Sequence, residues 1–241
     1  MKFTEGYWLL SERTNGQFAS QAYHIEAMEN GLRVVAPTSP VLSRGDTLNR
    51  PTITIEFLAV SPEVISVRAW HYEGYRTGEA RFEKKETTCD AVVTITENEA
   101  VLDAGRVSVH VDRKNWGYSF WADGKLLTSS GFHNLGYVRW DKRVSSMLPQ
   151  DNYMKEHEYT PYMTQDLLLA PGENVYGFGE RFTAFVKNGQ AVETWNEDGG
   201  TASQVAYKNI PFYMTNRGYG VFVDHTGNVS FEVASEKVEY V

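Results

Sequence analysis

Polar/apolar alternation, broken every few residues by turn chemistry, recurs along this chain and leaves little room for anything but antiparallel β structure. Thr52-Ile53-Thr54-Ile55-Glu56-Phe57, Val64-Ile65-Ser66-Val67-Arg68-Ala69-Trp70 and Val92-Val93-Thr94-Ile95-Thr96-Glu97 all carry it, and Arg106-Val107-Ser108-Val109-His110-Val111 puts Val107, Val109 and Val111 on one face. A period of two buries one face of a sheet and wets the other. His110, opposite the valines, is expected to face solvent.

Turns punctuate these runs. Glu97-Asn98-Glu99, Asp103-Ala104-Gly105, Ala122-Asp123-Gly124-Lys125 and Asn216-Arg217-Gly218-Tyr219 read as hairpin breaks, since Gly, Asn and Asp accept the positive φ of tight turns. Asp123-Gly124, between the aromatic run Trp116 to Trp121 and Leu126-Leu127, is the clearest. No segment keeps a helical period over three turns, and Pro149 to Thr164 reads as a short helix or an irregular loop. β character returns at Asp166 to Leu169 and Asn174 to Gly179. Val221 to Val223, Val229 to Val233 and Lys237 to Val241 read as closing strands, the last cut short. On that ending the 241 residues are expected to be a fragment, because an unfinished strand leaves a bare edge. The expected class is all-β, a large antiparallel β-sandwich filling residues 1–241.

Bulk properties exclude several functions. A net charge of −8 without a basic run longer than Lys84-Lys85 disfavours nucleic acid and anionic membrane surfaces. Cys89 is the one cysteine, so no intrachain disulfide or Cys-rich zinc site forms, and beside Thr88 and Asp90 it reads as a strand-edge residue. His24, His71, His110, His133, His157 and His225 include no close ligand pair; neither metal nor cofactor is expected. The start, Met1-Lys2-Phe3-Thr4-Glu5-Gly6, has no apolar core of a leader, and no run reaches spanning length. A cytoplasmic location is expected.

Aromatic residues reach 13%, which suits a β core and also flat platforms for sugar rings. The densest polar-aromatic stretch is Glu193-Thr194-Trp195-Asn196-Glu197-Asp198-Gly199-Gly200-Thr201. Carboxylates and amides bind sugar hydroxyls, and a Trp stacks on the C–H face. An acidic loop over a buried Trp is an equal reading of these residues. Gly177-Phe178-Gly179-Glu180-Arg181 lacks the rest of a phosphate fingerprint; its glycines fit a strand that bends sharply or meets another backbone.

Three blocks, Val175 to Phe185, Val192 to Gly200 and Tyr207 to Gly220, with Tyr176-Gly177-Phe178-Gly179-Glu180, Pro211-Phe212-Tyr213-Met214 and Gly218-Tyr219-Gly220 in order, resemble glycoside hydrolase family 31, nearest its bacterial α-xylosidases. The likeness is strong from about residue 165 onward. Earlier it rests on β-rich character and the opening Gly6-Tyr7-Trp8-Leu9-Leu10. The resemblance implies an N-terminal supersandwich of galactose mutarotase-like type, ahead of a (β/α)8 barrel that carries both catalytic aspartates of a retaining mechanism. This chain then holds no catalytic residue. It lends the barrel a loop whose acidic position matches Asp198, flanked by Trp195, Asn196 and Glu197 as substrate contacts. Glu180 and Arg181 fit an internal ion pair or a domain-interface contact. The implied partners are the parent chain's catalytic barrel and an α-linked xyloside or glucoside oligosaccharide. The aromatic surplus also leaves room for a homo-oligomer.

Two other functions fit the same residues. A stand-alone carbohydrate-binding module would use the Trp195–Asp198 loop by itself. An aldose mutarotase-type isomerase would need a paired general acid and base, which no local spacing offers, and a polarimetric assay separates it.

Overall fold

The computed structural model describes residues 3–4, 9–48, 50–72, 82–83, 87, 89–141, 159–201 and 203–241. Strands β2 (His24–Met28), β3 (Gly31–Pro37), β4 (Thr52–Ser61) and β5 (Val64–Trp70) form an antiparallel sheet in sequence order. β6 (Val92–Ile95), β7 (Glu99–Asp103), β8 (Val107–Asp112), β9 (Gly117–Ala122) and β10 (Lys125–Ser130) form a five-stranded meander. The alternation explains how the two stack. Leu32, Val34 and Ala36 of β3, Ile53, Ile55 and Phe57 of β4, Leu102 of β7, and Val109 and Val111 of β8 are all fully buried in one core. Phe57 meets Tyr118 edge-on at 5.1 Å. β1 (Thr14–Phe18) pairs with β11 (Leu135–Asp141), which pairs with β12 (Tyr159–Gln165). The helical residues among those described are a 3-10 turn at Arg44–Thr47.

A second core lies toward the C-terminus. Leu169, Val175, Phe178, Val192, Tyr213, Phe231 and Val233 pack between the sheet β13-β15-β16 (Val175–Glu180, Lys208–Thr215, Gly220–Phe222) and the pair β14-β17 (Gln190–Glu193, Ser230–Val233). Arg217, in the β15–β16 turn, ties this unit to the meander. Its guanidinium donates to the carbonyls of Leu126 (2.7 Å) and Leu127 (3.0 Å), where the β9–β10 register shifts, and lies 3.6 Å from the fully buried Glu173 carboxylate.

The four alternating runs and all four hairpin breaks are where the sequence puts them. Three expectations fail. Within Pro149 to Thr164, residues 159–164 form most of strand β12, not a helix or loop, because pairing with β11 satisfies their backbone; 149–158 lie outside the described residues. Lys237 to Val241 is not a regular strand. It makes one bridge, Leu168 to Tyr240, with Leu167 and Val241 exchanging backbone bonds of 2.7 and 3.0 Å, so its ladder is taken up by the short 167–169 segment. Asp166 to Leu169 is likewise bridge and coil rather than strand. Thr88, the Lys84-Lys85 pair, His157 and the opening Gly6-Tyr7-Trp8 lie outside the described residues.

Candidate functional site

The polar-aromatic stretch leaves β14 at Glu193 and returns as β15 at Lys208, so its ends are fixed by two strands of the second core. Between them the chain closes on itself. Asn196 and Ala206 form a parallel bridge, the Glu197 N–H donates to the Ala206 carbonyl at 3.0 Å, and Ser203 N–H reaches Gly200 O at 3.0 Å. Gly199 is required by this closure: a Cβ there would stand 2.3 Å from the Val205 carbonyl oxygen, inside any van der Waals contact.

Asn209 and Arg181 hold the loop from below. The Asn209 amide nitrogen donates to the carbonyls of Trp195 (2.8 Å) and Ala206 (2.7 Å) and to Asn196 Oδ1 (3.0 Å); its backbone N–H reaches the same Oδ1 at 3.1 Å. Its side-chain oxygen accepts from Arg181, whose guanidinium also donates to the carbonyls of Phe178 (3.3 Å), Gln204 (3.1 Å) and Glu193. Arg181 thus acts as a fork of donors for backbone oxygens. Desolvation lowers its pKa, opposed by the Glu193 charge. Arg181→Ala strands several carbonyls, so it should reduce unfolding free energy by about 2–4 kcal/mol in urea titration, with Arg181→Lys recovering under half of that.

Glu180 and Arg181 do not pair with each other. Glu180 is exposed and meets Lys208 at 3.0 Å across the β13–β15 ladder, while Arg181 turns inward to the loop. Neighbouring strand residues point to opposite faces, which separates them.

The four sequence candidates divide. Trp195, 51% exposed, and Asn196 line a cleft of about 300 Å³ with Asn209, Pro211, His225 and Thr226. Glu197 and Asp198 are exposed on the loop beyond that wall. The buried-Trp alternative therefore fails, since half of the indole is open to solvent. Nothing in the sequence marks Asn209 or Arg181 as a loop anchor; the adjacency of Asn209 to the apolar strand gives no sign of which backbone it holds. Among the described residues, no group of three His, Cys, Asp or Glu could hold a metal.

Beside the loop, β15 turns its apolar residues outward. Ile210, Phe212 and Met214 alternate with buried Pro211, Tyr213 and Thr215, and Phe212 is the register partner of half-exposed Phe222 on β16. The reversal of the expected hydrophobic-in pattern leaves an apolar stripe on the surface.

Several antiparallel sheets packed around two cores make this an all-β sandwich of galactose mutarotase-like class, and residues 53–232 match the family model described as "Glycosyl hydrolase 31 N-terminal galactose mutarotase-like domain". The chain belongs to that family. It is 40% identical over 246 residues to the α-xylosidase XylQ of Lactiplantibacillus pentosus, a match taking in 100% of this chain and 30% of that protein. The α-xylosidase of Emericella nidulans is 35% identical over 250 residues, covering 100% of this chain and 32% of its own length. The cycloalternan-forming enzyme of Listeria monocytogenes, solved with a pentasaccharide substrate, superposes with a TM-score of 0.69 at 16% identity, over 94% of this chain and 19% of that one. The chain thus spans under a third of the length of these curated relatives.

Proposed function

We propose that this chain is the non-catalytic N-terminal domain of a retaining α-glycosidase, an α-xylosidase, which packs on a catalytic barrel and lends it the 195–201 loop as one wall of the substrate pocket. The observation that carries this reading is the outward stripe Ile210, Phe212, Met214 and Phe222, which starts one residue from the loop anchor Asn209. An apolar stripe of this kind favours a protein partner. A partner seated there lies against the root of the loop, which brings Trp195 and Asp198 to the rim of whatever cleft the partner carries. Asn196 and Glu197 are the accompanying sugar contacts.

Two measurements test it. The isolated chain should not hydrolyse p-nitrophenyl α-xyloside or α-glucoside; turnover at enzyme-like rates would end the proposal. In the assembled enzyme, Asp198→Ala and Trp195→Ala should raise KM for an α-xyloside about tenfold or more, the size of one lost charged hydrogen bond or one lost ring contact. Ile210→Glu with Met214→Glu should leave the isolated domain folded, because both side chains are already exposed, and should abolish its association with the barrel.

The half-open indole of Trp195 favours a second reading, a carbohydrate-binding module that needs no partner. Calorimetry of the isolated chain and of its Trp195→Ala variant with xylose, glucose and isoprimeverose separates the two, since heat of binding that the variant loses favours the module. Half a pocket cannot offset lost translational freedom, so the first reading predicts no heat of binding at this loop.

A further inference from the structure

The outer face of the five-stranded meander carries a second candidate site, built from none of the residues of the Trp195 loop. There a trough of about 410 Å³ is lined by Asp103, Arg106, Ser108, His110, Trp121 and Asp123. Its floor is set by register. Asp103 pairs with Ser108 and Ser108 with Trp121, so three neighbouring strands set an acid, a hydroxyl and an indole in one row. His110 lies in the next row, its ring 5.7 Å from the indole, with Nε2 3.2 Å from Ser108 Oγ and Nδ1 3.5 Å from Glu99. The indole N–H donates to Ser119 Oγ at 2.8 Å, which fixes the ring along its strand.

Three turns close one end of the trough. Arg106 donates from its backbone to Pro62 O at 2.9 Å, and its guanidinium bridges Glu63 at 2.5 Å and Asp123 at 3.4 Å. Gly105 N–H reaches Asp103 Oδ1 at 2.8 Å. The side chains are therefore positioned before any ligand arrives, and binding orders few of them. The chemistry selects the ligand. Glu63, Glu99, Asp103 and Asp123 outnumber Arg106 and His110, which disfavours phosphates and other anions. An aromatic ring bordered by hydroxyl, imidazole and carboxylate groups suits a neutral ring with apolar C–H faces and a rim of hydroxyls. The volume lies within the range of small-molecule sites.

We propose that this trough binds one neutral pyranose unit of an oligosaccharide, independently of the Trp195 loop. The test is titration of the 241-residue chain with isomaltotriose and with isoprimeverose, monitored through the indole N–H resonances in heteronuclear NMR. A saturable shift of the Trp121 resonance, with a millimolar dissociation constant, is expected. It should survive Trp195→Ala; in Trp121→Ala, which lacks the reporting indole, the backbone amides of Ser108 and Gly124 in the same trough report instead, and binding should weaken about tenfold or more, the loss of one stacking platform. Asp103→Asn with Asp123→Asn gives a second variant that keeps the indole, and it should weaken binding by a similar factor. No shift at Trp121 up to about 50 mM sugar, or binding lost in Trp195→Ala and kept in Trp121→Ala, overturns the proposal. The first of these outcomes leaves the reading of the Trp195 loop untouched; the second places binding at that loop and favours the partner-free module.

Discussion

Gly179→Ala is expected to lower the unfolding free energy by about 3 kcal/mol or more, adding left-handed backbone strain to a collision that cannot relax. Gly179 has φ +85, and a Cβ there would stand 2.0 Å from the Lys208 carbonyl oxygen and 2.9 Å from the Ile210 nitrogen. Both obstacles are backbone of β15, so no rotamer change relieves them. The position sits where three residues of β15 oppose the single residue Phe178, which itself takes φ 68 while fully buried in the second core. A bulge of this kind bends the strand and re-aims the side chains next to it. Those side chains are Glu180 and the loop anchor Arg181. Gly172→Ala is the control: its φ is +76, but nothing lies within 4 Å of its Cβ, so only the strain of about 1–2 kcal/mol should appear. Urea midpoints of the two variants measure the difference. Equal losses would mean that the strands do not approach as closely as the structure has them.

Cutting the link between the two cores should be nearly as damaging. Glu173 has a fully buried carboxylate; Oε2 accepts the Ala170 N–H at 2.8 Å and faces Arg217 at 3.6 Å. Arg217→Met removes the cation, leaving a buried charge without its counter-charge and two β10 carbonyls without their donor. A loss of about 3–5 kcal/mol is expected, with a fall in Tm of roughly 10 °C for a chain of this size. Glu173→Gln in the Arg217→Met background should recover part of it, because the uncompensated charge is gone. The double-mutant cycle then gives a coupling of about 1–3 kcal/mol. Additive losses would show that the carbonyl contacts, not the ion pair, join the units.

The proposed functions share this architecture. The second core positions the loop through Arg181 and Asn209, the meander carries the Trp121 trough, and Arg217 fastens one to the other. A variant that loosens the link should therefore disturb partner association while leaving Trp121 binding in place, since the trough is built from β7, β8 and β9 with turns that do not touch Arg217.

Alternation and turn residues determined most of this protein by themselves. Val109 and Val111 are buried and His110 lies on the outer face because side chains on a strand alternate, and Asp123 and Gly124 both adopt positive φ in the hairpin their types favour. Those are local properties, readable from neighbours. The family blocks likewise located the loop and its Trp195. What needed the tertiary structure depends on partners far along the chain. Tyr159 to Gln165 became a strand because β11 was there to pair with it, and Ile210, Phe212 and Met214 came to the surface because the second core covers the opposite face of β15, where Tyr213 and Thr215 are buried. Arg181 found carbonyls of residues 193 and 204 in place of its neighbour Glu180, and a row of three ordinary strand residues, Asp103, Ser108 and Trp121, became the floor of a trough through register alone. Periodicity says which residues share a face; only the assembled sheets decide which face is covered, and by what.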